Sequence, residues 1–131
     1  MSCLTTPEQQ DFSSVTVHNG NDRIGVVTLR GWWNDTLCRE TKAVLREVLA
    51  ARPAGLIIDL TTLHDADARS VPVWTRARLT GADIFPRVTL ALCVETESSL
   101  ARRLRPMSGH GFLPVFARVW QARVALASRA D

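Results

Sequence analysis

The chain has 131 residues, 46% of them hydrophobic and 22% charged, with a formal charge of +3. That length fits one domain with its own core, and the composition excludes a disordered chain, a collagen-like repeat and a disulfide scaffold. Residues 1–65 hold six basic and eight acidic side chains against ten and five in residues 66–131, so the second half could meet an acidic partner.

Residues 1–11 are polar and acidic and have neither the basic nor the apolar part of a secretory signal. They read as a flexible tail before a domain at 12–131. No run approaches the ~20 apolar residues of a membrane span. Ser14–Asn19 alternates apolar and polar residues as a half-exposed strand does, Gly20-Asn21-Asp22 signals a turn, and Arg23–Arg30 reads as the second strand of a hairpin. Asp35–Ala51 is a helix with Leu37, Thr41, Val44, Leu45, Val48 and Leu49 on one face, capped by Asn34 or Asp35 and stopped by Pro53. Gly55–Leu60 is short, apolar and typical of a strand covered on both faces, and Thr61–Asp67 is a polar loop. A helix runs to about Thr80 and ends at Gly81; Arg87–Val94 is a second buried strand. Thr96–Met107 is a helix with Leu100, Leu104 and Met107 inward, Ser108–Gly111 a loop, and Leu113–Phe116 a very short strand. Ala117–Arg129 closes the chain as a helix with Val119, Trp120, Val124 and Leu126 apolar; Trp74 and Trp120 read as core. The order β-β-α-β-α-β-α-β-α predicts a single α/β domain with a mostly parallel sheet and a hairpin at one edge.

Cys3, Cys38 and Cys93 form no CxxC, which points to a reducing cytoplasm and to Cys38 and Cys93 as small buried hydrophobes. The phosphate-binding glycine motifs, a nucleophile elbow and H-E-x-x-H are all absent. His18, His64 and His110 fall in different elements. His64-Asp65-Ala66-Asp67 follows a central strand, where open α/β sheets bind ligands. Asp65 and Asp67 with Asp59 could hold a hard metal; otherwise this is a solvated loop whose Asp caps the next helix. Arg102, Arg103 and Arg105 make a basic turn too thin for a nucleic-acid footprint. Trp32 and Trp33, adjacent in an extended segment, should point to opposite sides. One then enters the core while the other is free for an interface, unless both pack under helices.

The run IIDLTTLHDADARSVPVW at Ile57–Trp74 resembles the core of the STAS domain, the anti-sigma factor antagonist family. Asp59-Leu60-Thr61 matches the family's D-L-S, and Asp67-Ala68-Arg69-Ser70-Val71 lies where D-S-S-G-L is expected. Leu29–Asn34 resembles the family's L-x-G-x-L-D, and Ala101–Leu104, Ser108-Gly109 and Leu113–Phe116 resemble its third helix and closing strand. The resemblance covers about residues 12–128. It implies a regulatory protein–protein interaction module rather than an enzyme, without cofactor or metal. Its partner would be an anti-sigma factor of the serine-kinase type, met through Asn34, Asp35, His64, Asp65, Asp67, Ala68, Arg69, Ser70 and Trp74. The family's switch is phosphorylation of the first Ser of D-S-S-G, which adds about −1.5 to −2 charges at an interface.

That switch does not carry over, because the matching position is Ala68, followed by Arg69 and Ser70. Pro72 would disturb a helix begun at Asp67 but suits one begun at Ser70, so the helix should start at Ser70. Ser70 is then either its cap or a displaced phosphosite. Arg69 is either solvated or, beside a helix start, attracts an anion on a partner. Two other functions stay open: an accessory STAS subunit of a transporter, and a small-molecule or nucleotide sensor built on His64, Asp65 and Asp67. The oligomeric state also stays open, a homodimer included.

Overall fold

The computed structural model describes residues 13–20, 22–84, 86–108 and 114–130. The expectations for residues 1–11, Asn21, His110 and Leu113, and for the Met107 side chain, lie outside the described part.

Five strands form one sheet in the order β1-β2-β3-β4-β5: β1 Ser14–Asn19, β2 Ile24–Trp32, β3 Gly55–His64, β4 Thr89–Cys93 and β5 Val115–Phe116. β1 pairs antiparallel with β2, and the remaining pairs are parallel. Four helices alternate with them among the described residues: α1 Asp35–Ala50, α2 Val71–Asp83, α3 Ser99–Ser108 and α4 Val119–Ala130. The expected α/β class, element order and edge hairpin are those observed.

The two apolar clusters show why β2, β3 and β4 lack polar alternation. Val27, Leu29, Leu56, Ile58, Leu90 and Leu92 face α1, α2 and α3, while Ile24, Val26, Ile57, Ala91 and Cys93 face α4 alone. Strands covered on both sides leave few positions for a polar side chain, and in β2 and β3 these fall beyond Val27 and Ile58. α1 turns Leu37, Thr41, Leu45 and Leu49 inward at 3–4 spacing and leaves Cys38 half-buried.

Three expectations need correction. β3 does not stop at Leu60 but runs through Thr61–His64, with a register shift against β2 between Thr28 and Arg30. Thr62 Oγ1 donates to Leu29 O at 2.9 Å there, satisfying a carbonyl at the irregularity. α2 does not end at Gly81. Gly81 lies inside the helix, where a Cβ would sit 2.6 Å from Val88 O, so only glycine lets the helix pass this close to the segment entering β4. Trp120 and Val124 are exposed, not core. The stripe Val119, Ala122 and Leu126 meets the sheet, and positions 120 and 124 are turned away from it.

Candidate functional site

Parallel pairing brings the carboxyl ends of β2, β3 and β4 to one edge of the sheet. The segments leaving them, Trp32–Asn34, His64–Ser70 and Glu95–Ser99, frame an open cleft of about 450 Å³. Each wall has a local cause.

Trp32 closes β2 with its backbone clasped by Ser13, whose hydroxyl accepts from Trp32 N at 2.9 Å and donates to Trp32 O at 3.0 Å. This close approach needs Gly31: its φ is +95°, and a Cβ would sit 2.6 Å from Ser13 Cα. Asn34 then caps α1, its Oδ1 accepting from Leu37 N at 2.8 Å and its Nδ2 donating to Trp32 O at 3.1 Å. The cap is therefore Asn34, with Asp35 exposed in the first turn, where a negative charge suits the helix dipole.

The two tryptophans diverge, as alternation requires. Trp33 is half-buried, its N–H donates to His64 O at 3.0 Å, and its ring lies 5.9 Å from that of Trp74, tilted by 58°. Trp32 is 52% exposed and stacks on His64 at 4.4 Å and 27°. The register shift makes this stack. Leu56, Ile58 and Leu60 face the helical layer at even positions, but beyond the shift Leu63 packs there. His64 is thus turned to the side of its register partner Trp32.

Asp65 organises the loop. Its Oδ1 accepts from Arg69 N at 2.9 Å, and its Oδ2 accepts from Ser70 N at 2.9 Å and from Ser70 Oγ at 2.6 Å. Ser70 Oγ in turn accepts from the buried Trp74 Nε1 at 2.9 Å. One carboxylate thus satisfies the amides before α2 and, through a hydroxyl, the indole N–H at the centre of the core. The helix does begin after Ser70, with Pro72 in its first turn, but the Ser70 hydroxyl makes no cap bond of its own. Asp65 caps in its place.

Ser70 has no exposed surface, and its hydroxyl is committed at both ends. Ala68, at the family's acceptor position, is likewise buried and takes a left-handed φ of 54°. What the loop shows to solvent is Asp67 and Arg69, both exposed and 3.9 Å apart, a pairing worth little in water.

Among the described residues no three His, Cys, Asp or Glu side chains gather as metal ligands. Asp59, expected beside Asp65 and Asp67, instead accepts from Thr61 N at 3.0 Å and Thr61 Oγ1 at 2.7 Å. The Cys93 thiol is pushed up to about 12 by burial and by the Asp59 charge, which leaves no thiolate near neutral pH. The cleft combines an aromatic shelf, a hydrogen-bonded loop, and charged rims at Asp67, Arg69 and Glu95. Sequence reasoning missed Ser13, Glu95 and the Trp32–His64 stack. Pairing at the sheet edge joins the first and the last of these, and a linear pattern carries no signal for it.

No protein-family model matches the sequence, and no curated protein matches it. Solved structures do match in fold. An anti-sigma factor antagonist from Mycobacterium paratuberculosis superposes with a TM-score of 0.66 at 15% identity, over 88% of this chain and 95% of that one. The anti-sigma factor antagonist SpoIIAA in its unphosphorylated form gives 0.58 at 18% identity, over 86% and 96%. The Bacillus cell fate determinant SpoIIAA in the phosphorylated form gives 0.56 at 14% identity, over 86% and 99%. The likeness spans nearly the whole of each chain and establishes a STAS-like fold.

Proposed function

We propose that this STAS-like domain is a non-enzymatic regulatory module that docks on an anti-sigma factor of the serine-kinase type without a phosphorylation switch. The docking surface is the Trp32–His64 shelf with the Asp65–Trp74 segment, including Asn34 and Asp35 at the start of α1. The observation that carries this reading is the state of the acceptor loop. Ala68 offers no hydroxyl, and Ser70 is buried and bonded at both ends. A phosphoryl group on Ser70 would need room for three oxygens and about two negative charges beside the Asp65 carboxylate, which the intact loop denies it. The likeness to anti-sigma factor antagonists supports the class of partner.

In this reading the protein works in the cytoplasm; no described helix is long and apolar enough to cross a membrane. The same loop suits a second role, a constitutive accessory subunit of a transporter, since a subunit that never dissociates needs no switch.

The test is affinity capture of the tagged protein from its source cytosol, read by mass spectrometry, beside a Trp32→Ala variant. An exposed tryptophan at the centre of an interface typically contributes 2 kcal/mol or more, about a thirtyfold loss on truncation. Recovery of a kinase-like anti-sigma factor by the native protein alone supports the proposal, as does absence of phosphate on Ser70 after incubation with it and ATP. Recovery of a transporter ATPase moves the protein to the second role. Equal capture by the variant removes the shelf from the interface.

A further inference from the structure

A second surface lies away from the loop, in the groove between α1 and α2. Its floor is Leu45 and Leu49 of α1 with Val73 and Ala77 of α2, and the hollow measures about 200 Å³. The rims are Lys42 and Arg46 on one side and Arg76 on the other.

The charge is unbalanced. None of these three cations has an ion-pair partner among the described residues. At 100° per residue, Glu40 and Glu47 fall on the opposite flank of α1 from Lys42 and Arg46; Glu47 borders the separate hollow toward β1. Acids on the groove flanks stand only at the ends: Asp35 two turns before Lys42, and Asp83 one turn beyond Thr80. Lys42 and Arg46 are also four residues apart on one helix, a repulsive spacing. Exposed Leu79 adds apolar surface on the outer side of α2.

We infer that this groove receives an acidic amphipathic helix of another protein. Groove positions recur at i, i+3, i+4 and i+7 on both walls (42, 45, 46, 49 and 73, 76, 77, 80). The wall is therefore about 10 Å long, two helical turns, and matches a helix laid along it. The apolar floor takes the helix's apolar stripe, and carboxylates on its flanks meet Lys42, Arg46 and Arg76. Such a contact is steered by charge and weakened by salt.

The probe is a labelled 15-residue peptide with leucines at i, i+3, i+4 and i+7 and glutamates on both flanks, followed by fluorescence anisotropy against the full chain. The expected result is binding that falls with salt and weakens about tenfold or more in the Arg46→Glu/Arg76→Glu protein. A lysine-flanked peptide should then bind that variant better than it binds the native protein. Should the charge-reversed protein lose its circular-dichroism signal, Arg46→Gln/Arg76→Gln replaces it. Equal binding of a scrambled peptide of the same composition overturns the inference, as does an unchanged affinity in the variant. Self-association of the native protein that charge reversal abolishes would give the groove to a second copy and overturns it too. Trp32→Ala leaves peptide binding intact, which separates this result from the loop-docking proposal.

Discussion

Replacing Ser70 by alanine removes one oxygen and disturbs two partners. The Trp74 indole N–H, fully buried, loses its acceptor at 2.9 Å, and the Asp65 carboxylate loses a donor at 2.6 Å. A buried donor left unpaired costs about 1–3 kcal/mol, and a hydrogen bond to a charged group is worth about 1.5–3 kcal/mol. Asp65 keeps the amides of Arg69 and Ser70 and is only half-buried, so its share falls at the low end. The sum is about 3 kcal/mol, a large part of the roughly 5–15 kcal/mol that holds a domain folded. Urea unfolding reads it directly, and Tm should fall by roughly 10 °C for a chain of this length. Ser70→Ala combined with Trp74→Phe completes a cycle. Removing the indole N–H first should make the serine cheaper to lose by about 1–2 kcal/mol. A single-variant loss below about 0.5 kcal/mol, or two losses that simply add, would refute the network.

Thr41 Oγ1 is buried with no hydrogen-bond partner among the described residues; Thr41→Val keeps the shape and should raise stability by about 1 kcal/mol in urea unfolding. Gly31→Ala forces a Cβ to 2.6 Å from Ser13 at a φ of +95° and should cost about 2 kcal/mol or more, measured the same way. Cys93 has its folded pKa raised from 9.0 to about 12. The proton it holds stabilises the fold fully below pH 9, and that contribution is lost as pH climbs toward 12, by at most about 1.4 kcal/mol per unit. Unfolding curves at pH 8, 9.5 and 11 should show the slope and Cys93→Ala should flatten it; an unflattened slope assigns it to other groups.

The elements legible in the sequence were those in which one physical pattern ruled. The 3–4 stripe of α1 and the unbroken apolar runs of β3 and β4 read directly, because each reports burial along a single element. Pro72 fixed the start of α2 by covalent geometry alone. Trp120 misled because an apolar residue marks a buried face only after the helix phase is known. The narrow floor of Ala91, Cys93 and Ile57 sets that phase. The role of Ser70 was hidden for a related reason: a serine at a helix start reads as a cap. Asp65, five residues earlier and outside the helix, had already supplied that bond. The end of β3 was misplaced because Thr61 and Thr62 look like loop residues, whereas edge-on pairing with Arg30 and Gly31 extends the ladder through them.

The register shift in β3 makes the chain between Leu60 and Leu63 a matter of parity. Leu60 and Leu63 both pack toward the helical layer although three positions separate them, an odd step where a regular strand takes even ones. Losing one residue there would restore even spacing and remove the register shift, so every residue downstream would keep its partner on β2. His64 would still oppose Trp32, so the aromatic shelf would survive in a straightened strand. Loss of two residues would bring His64 opposite Gly31, one position early, and take the aromatic shelf apart. A polar stretch that looks free to vary in length can thereby give up one residue and no more, and the limit comes from the surface it presents rather than from the core it borders.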